Sequence, residues 1–529
     1  MKKFLLIPAA LFGLALSAQK NPAPTKAPDN WFNLSYANDG VRGVGTERTY
    51  SDIVKGMKAD TIIVAVIDGG VDYTHEDLKD VMWHNPKEIP GNGIDDDKNG
   101  YVDDVYGWNF IGGADGKDVQ YDNLELVRLY RPLYKKFKDR DASSIGPSEQ
   151  TDYNTYLGYK AAYDKDVDTY TKYRRQYTVI SSYLRDIATQ AKHDSATYQD
   201  FQNFQPGDGY KLIHAAIKSQ IKTEDAYKEF IKEIGEGKTE IDNHLDYQMN
   251  LDYDSRSIVG DDYENSNEHY YGNPDVKGPD ALHGTHVAGI IAANRLNGIG
   301  ILGVNTAVRI MAVRVVPNGD ERDKDVANGI RYAVDNGAKV INMSFGKAYC
   351  KDKGIVDDAV KYAESHGVLL VHAAGNDNKD NDHSNNFPNK YYLSGGEASN
   401  WIEIGALSWK LGKDQVAPFS NFGQTKVDVF APGVDIHSCQ SNGGYLDESG
   451  TSMACPVTAG VAAMLKVYYT NLTAPQIKEI IMKSSDKSLA KKKVIKPGEK
   501  KKKIKFSKLS VSGGTVDLYA AMKLAATYK

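Results

Sequence analysis

Four polar residues stand where their types and neighbours could do chemistry. Asp68 ends an apolar run in VIDGGVDYTHEDL, His283 opens a stretch of small residues in HGTHVAGIIAA, Ser452 opens another in SGTSMACPVTAGVAAML, and Asn376 follows a glycine in HAAGND. A serine hydroxyl is a poor nucleophile until a base takes its proton. Histidine is the natural base near neutral pH, and a carboxylate holds its tautomer and stabilises the imidazolium. A serine at the start of a helix also has a free backbone N–H at the positive end of the helix dipole, where an oxyanion is stabilised. The side-chain amide of Asn376 is a candidate second donor. The chemistry implied is acyl transfer, with Asp68, His283 and Ser452 as the catalytic set and Asn376 beside them.

Such residues need elements that hold them. The run TIIVAVIDGG from Thr61 is a continuous apolar strand closed by a glycine pair. It suits a parallel strand buried on both faces, and it delivers Asp68 to the carboxyl end, where reactive groups gather in open α/β sheets. After position 280 strand and helix alternate: RIMAVRVV, DVANGIRYAVDNG, AKVINMSFG, IVDDAVKYAESHG, VLLVHAAGN. This pattern predicts an α/β domain, a doubly wound parallel sheet flanked by helices.

Residues 114–262 differ in character, being rich in Tyr, Lys and Asp and poor in Gly and Pro. Tyr156, Tyr159, Tyr163, Val167, Tyr170, Tyr173, Tyr177, Ile180, Tyr183 and Ile187 recur at spacings of three and four, one stripe of a long amphipathic helix. A second helical segment is expected near Lys211–Ile234. The stretch reads as a helical insertion between the Asp and His segments, and an intramolecular helical hairpin would suffice to cover the stripe.

The first 18 residues, MKKFLLIPAALFGLALSA, have the basic start, short apolar stretch and small cleavage-site residues of a secretory signal peptide. Residues 19–36 read as a flexible leader, which leaves 37–113 and 263–529 for the α/β domain. No other apolar run is long enough for a transmembrane helix. The net charge of −5 does not point to nucleic acid. The lysines between Lys487 and Lys508 read as a solvated loop, with contact to anionic cell-surface material as the alternative. Three cysteines, Cys350, Cys439 and Cys455, exclude a disulfide-built scaffold.

In the order Asp, His, Ser, the three segments together with HAAGND resemble the subtilisin-like serine peptidases, the subtilase family. The resemblance covers 37–113 and 263–529. It implies a secreted endopeptidase in which Asp68 orients His283, Ser452 attacks the scissile carbonyl and Asn376 donates to the oxyanion. It further implies that Met343, Ser344, Phe345, Gly346, Ala373, Ala374 and Gly375 wall the pocket for the residue before the cut. Their small residues suggest a roomy apolar slot and a preference for bulky apolar side chains. Asn318 to Arg322 would run along the other side of the substrate, and His286 would be a packed helix residue. Cys455 and Val457 depart from the family pattern just after the serine, and a thiol there would make the enzyme sensitive to mercurials. Only residues 19–61 separate the signal peptide from the first strand, too few for the long inhibitory propeptide common in secreted subtilases. The insertion would then help folding or gate the cleft.

In GIDDDKNGYVDD the spacing of Asp95, Asp97, Asn99 and Gly100 matches the opening of a calcium loop, with Asp103 or Asp104 left to complete the shell. Tyr106 at the twelfth position rules out a full EF-hand. The resemblance suggests a second calcium site at Asp77 and Asn297. The expected cofactor is structural Ca2+, with none in catalysis; HGTH lacks the metalloprotease spacing and glutamate of a zinc site. Two other functions remain open. A binding module without cleavage would need a lost catalytic residue, and none is lost. A serine esterase would need G-x-S-x-G, and the run 450–454 lacks the second glycine. Protein or peptide substrates are the expected partners.

Overall fold

The structure, a computed structural model, describes residues 26–528. The expected signal peptide and the first part of the leader lie outside the described residues. Two compact units are formed, one by 121–253 and the other by the rest of the described chain.

The larger unit is built on eleven strands: β1 Ile62–Asp68, β2 Gly107–Asn109, β3 Val308–Arg314, β4 Ala338–Met343, β5 Leu369–Ala373, β6 Trp401–Leu407, β7 Val429–Pro432, β8 Ile436–Cys439, β9 Tyr445–Glu448, β10 Lys493–Ile495 and β11 Lys503–Lys505. The first seven make one parallel sheet in the order β2-β3-β1-β4-β5-β6-β7. Its central strands are apolar at nearly every position because both faces are covered. Val64 and Val66 pack on one face with the helices Leu282–Ala292 and Thr451–Tyr468. Ala65 and Ile67 pack on the other with Asp323–Asp335 and Lys353–Ser365. The alternation of side chains along a strand thus divides the core into two apolar layers. Both small-residue helices of the sequence motifs lie on the same face.

The hairpins β8–β9 and β10–β11 are antiparallel. Val494 is buried, whereas Lys493, Lys503 and Lys505 face solvent. Among the described residues no helix is long and apolar enough to cross a membrane.

The smaller unit carries the tyrosine stripe on a single helix, Gln150–Ala191. Tyr177, Tyr183 and Ile187 are buried against Phe201, Ile217, Phe230 and Ile241. A side chain at Gly237 would meet the Tyr177 ring at 2.7 Å, so the glycine is what lets the two helices approach. The segment expected at Lys211–Ile234 is two helices, Lys211–Gln220 and Glu224–Asn243. The break comes from Thr223, whose side chain accepts from the Ala226 amide at 3.2 Å and starts a new helix.

Candidate active site

The carboxyl end of β1 places Asp68 almost fully out of solvent. Its Oδ1 accepts from the Gly69 amide at 2.7 Å and lies 2.8 Å from His283 Nδ1. His283 sits in the first turn of Leu282–Ala292. That helix can reach β1 because residue 284 is glycine: a side chain there would strike the Gly70 carbonyl at 2.1 Å and the Asp68 side chain at 3.2 Å. Burial disfavours the charged imidazolium, but the Asp68 carboxylate and, further off, Glu448 outweigh it, so the His283 pKa lies above its ordinary value. His286 is fully buried, its Nε2 3.0 Å from the Ile436 carbonyl and 3.2 Å from that of Leu446. Burial pulls it down to about 3, so it stays neutral.

Ser452 stands in the first turn of Thr451–Tyr468. Its Oγ donates to the Ser344 carbonyl at 3.1 Å, and its own carbonyl accepts from Ser344 Oγ at 2.9 Å. Asn376 is held by its amide oxygen, which accepts from the Thr451 amide at 2.8 Å and from Thr451 Oγ1 at 3.0 Å. Thr451 Oγ1 also accepts from the Gly375 amide at 3.1 Å. With Oδ1 so fixed, Nδ2 is the free donor of Asn376. A side chain at Gly450 would place its first carbon 3.5 Å from Asn376 Nδ2 and 3.4 Å from the Ser452 backbone nitrogen. Both donors therefore border one small space.

A cleft of about 330 Å³ includes Asp68, His283, Ser344 and Phe345, with Val316 to Asn318 along another wall. Met343, Ala373 and Ala374 are buried behind the surface, whereas Phe345 and Gly375 are half-buried and Gly346 is exposed. The expected apolar slot is not apolar throughout. Asn386 stands between the two glycines: a first side-chain carbon would lie 2.6 Å from its Oδ1 if built at Gly346 and 3.8 Å if built at Gly375. Nine residues past the HAAGND motif, in a loop without periodicity, Asn386 gave no local signal. Its position beside residues 346 and 375 depends on the folded path of the chain.

Cys455 is fully buried and its thiol donates to the Val371 carbonyl at 3.1 Å. Burial pushes this thiol, and that of Cys439, well up. The expected mercurial sensitivity therefore lacks an accessible thiolate at Cys455. The three cysteines form no disulfide, and Cys350 is half-buried.

In the acidic loop the structure brings together a different set from the one the spacing suggests. Ligand oxygens of Glu88, Asp95 and Asp97 lie within 4.8 Å of one another. Glu88 Oε1 accepts from the Asp96 and Asp97 amides, while Oε2 is buried with no partner among the described residues. Asp103 is turned away; its carboxylate accepts from the amides of Gly91, Asn92 and Gly93. Asn99 Oδ1 accepts from the Tyr101 amide and its Nδ2 donates to Asp104. Three clustered carboxylates, one of them with an orphaned buried oxygen, suit a hard divalent cation. Asp77 and Asn297 do meet, but the Asp77 carboxylate is already satisfied by Asn297 Nδ2 at 2.5 Å and the Ile301 amide at 3.0 Å.

The model of the subtilase family (Peptidase_S8) matches residues 59–503. The chain is 40% identical over 248 residues to the thermophilic serine proteinase of Bacillus sp. (strain AK1), covering 47% of this chain and 55% of that protein. It is 40% identical over 206 residues to thermitase of Thermoactinomyces vulgaris, covering 39% and 67%. The match spans about half the length of the first two curated relatives, 55% and 51%. Among solved structures, a protease of Pseudoalteromonas arctica is similar at 29% identity with a TM-score of 0.37, over 47% of this chain and 74% of that one. With a family match over most of its length, and the Asp, His and Ser segments brought to one end of a parallel sheet, the chain belongs to the subtilase family of serine peptidases.

Proposed function

We propose that this protein is an exported serine endopeptidase that hydrolyses peptide bonds in proteins through Asp68, His283 and Ser452. The observation that carries the reading is the 2.8 Å contact of Asp68 with His283 Nδ1 at the carboxyl end of β1; Ser452 stands in the first turn of its own helix, its Oγ on the carbonyl of Ser344 just past the end of β4. Asp68 fixes the tautomer that leaves Nε2 free to act as base. On substrate binding the Ser452 hydroxyl leaves the Ser344 carbonyl, gives its proton to His283 Nε2 and attacks the scissile carbonyl. The carbonyl oxygen, now an anion, takes the space bordered by Asn376 Nδ2 and the Ser452 amide. His283 then gives the proton to the leaving amine, and the C–N bond breaks to an acyl-enzyme. Water, deprotonated by His283, hydrolyses the ester and restores Ser452.

A structural calcium ion belongs to the same reading. Glu88, Asp95 and Asp97 would hold it and Asn85 would support them, since its Nδ2 donates to Asp97 at 3.3 Å and to Asp104 at 2.8 Å. The ion would offset the mutual repulsion of the carboxylates and take no part in the reaction. Export rests on the N-terminal pattern of the sequence and on the family.

A fluorophosphonate probe tests the reaction. Labelling at Ser452 in folded protein, abolished in Ser452→Ala, is expected. An unlabelled native protein sinks the peptidase reading, and turnover of short-chain esters without casein hydrolysis would replace it with an esterase.

A further inference from the structure

The two walls of the cleft continue strands that do not touch each other. β3 and β4 lie on either side of β1, which carries Asp68. Past the sheet, the chain leaving β3 supplies Val316, Pro317 and Asn318 to the cleft, and the chain leaving β4 supplies Ser344 and Phe345. Neighbouring strands lie about 4.8 Å apart, so these two segments leave the sheet about 10 Å apart with no ladder between them. We propose that Lys347 is the positioning residue that fixes the spacing of the two walls, and with it the hold on an extended polypeptide substrate. The inference rests on the serine-peptidase reading above.

Lys347 belongs to one wall and reaches the other. Its backbone is pinned by Phe387, each amide donating to the other's carbonyl at 2.9 Å. Its side chain is buried; Nζ donates to the Glu321 carbonyl at 2.8 Å and lies 2.8 Å from Asp323 Oδ1. Both partners stand just past Asn318, on the chain that leaves β3. Asp323 returns the link. Its Oδ2 accepts from the amides of Lys351 at 2.9 Å and Asp352 at 2.7 Å, on the segment that continues the Lys347 wall. At the other end of that wall Ser344 Oγ donates to the Ser452 carbonyl at 2.9 Å. The segment 344–347 is therefore fixed to the nucleophile's helix at one end and to the opposite wall at the other.

A buried ammonium is expensive unless it is paired and hydrogen-bonded, and an apolar side chain of the same length would fill the space without that cost. What the lysine adds is a directed link between two separate segments. It lies outside the cleft lining, so it acts through the walls and not on the substrate. A short substrate needs only the reactive groups, whereas a long one must be held between both walls. Without the link the walls must be ordered on binding, and that ordering weakens the affinity for long substrates first.

The test uses the full-length protein and two peptide p-nitroanilides with the same residue before the cut, one carrying a single residue and the other four. In Lys347→Met the long-to-short ratio of kcat/KM should fall about tenfold, chiefly through the KM of the long substrate. The ratio does not depend on how much enzyme is folded. Lys347→Arg, long enough to reach both acceptors, should restore most of it. Where the single variant does not fold, Lys347→Met with Asp323→Asn removes both charges together, and the same fall is expected. An unchanged ratio overturns the proposal. So does an equal loss on both substrates, the sign of general damage. Fluorophosphonate labelling of the native protein separates the two readings. Labelling with an unchanged ratio sinks only the role of Lys347; a native protein that is not labelled sinks the peptidase reading and this inference with it.

Discussion

At the scale of single residues, the energetics turn on protonation. His283 must be neutral to act as base, and Asp68 and Glu448 raise its pKa above the ordinary value. kcat/KM should therefore fall with falling pH through a midpoint above about 6.5. Asp68→Asn should remove the main stabiliser of the imidazolium and move that midpoint down, with turnover lowered as well. A pH–rate profile of both proteins checks the direction; a midpoint unmoved by Asp68→Asn would contradict it. Replacing Ser452 or His283 by alanine should cost on the order of 10⁶ in turnover, the precedent set by subtilisin itself. The thiols follow burial. Iodoacetamide should modify Cys350 in the folded protein and reach Cys439 and Cys455 only after unfolding, as peptide mapping would show.

At the scale of elements, charged networks tie loops to the sheet layers. The Arg256 guanidinium is 2.7 Å and 2.9 Å from the Asp325 carboxylate in the first turn of Asp323–Asp335. Its Nε lies 2.5 Å from Asp261, which Lys324 approaches at 2.7 Å. Asp325 and Asp261 are both out of solvent at their side chains. Asp325→Ala would leave a buried guanidinium short of its partner and should cost about 3–5 kcal/mol in denaturant unfolding. The acidic loop makes a separate prediction. In the Ser452→Ala protein, which cannot digest itself, saturating calcium should raise the melting temperature by an amount equivalent to about 3 kcal/mol at a hundredfold excess over Kd. Glu88→Gln should remove most of that gain, whereas Asp103→Asn, outside the cluster, should keep it. Equal calcium responses in all three proteins would refute the assignment of Glu88.

At the scale of the whole molecule, the chain is two compact units, and the residues proposed for catalysis all lie in one of them. The 121–253 unit has its own apolar core, and its ends adjoin: Tyr253 Oη donates to the Tyr121 carbonyl at 3.0 Å. Replacing 121–253 by a short glycine-rich linker should leave Ser452 reactive toward a fluorophosphonate. Loss of labelling with loss of fold would show that the insertion assists folding. The parallel sheet was legible in sequence, and the residues proposed for catalysis were singled out, because each has a local sign. Asp68 ends an apolar strand, while His283 and Ser452 open helices whose small residues let backbones approach. The long helix was legible because a stripe repeats every turn. What the sequence could not fix were contacts between residues far apart along the chain. Asn386 meets Gly346 and Gly375 only when β4 and β5 lie side by side, and Glu88 joins Asp95 and Asp97 only through the turn between them. Local pattern records what a residue needs from its own helix or strand; contacts between distant segments are set by where those segments end, which only the folded chain decides.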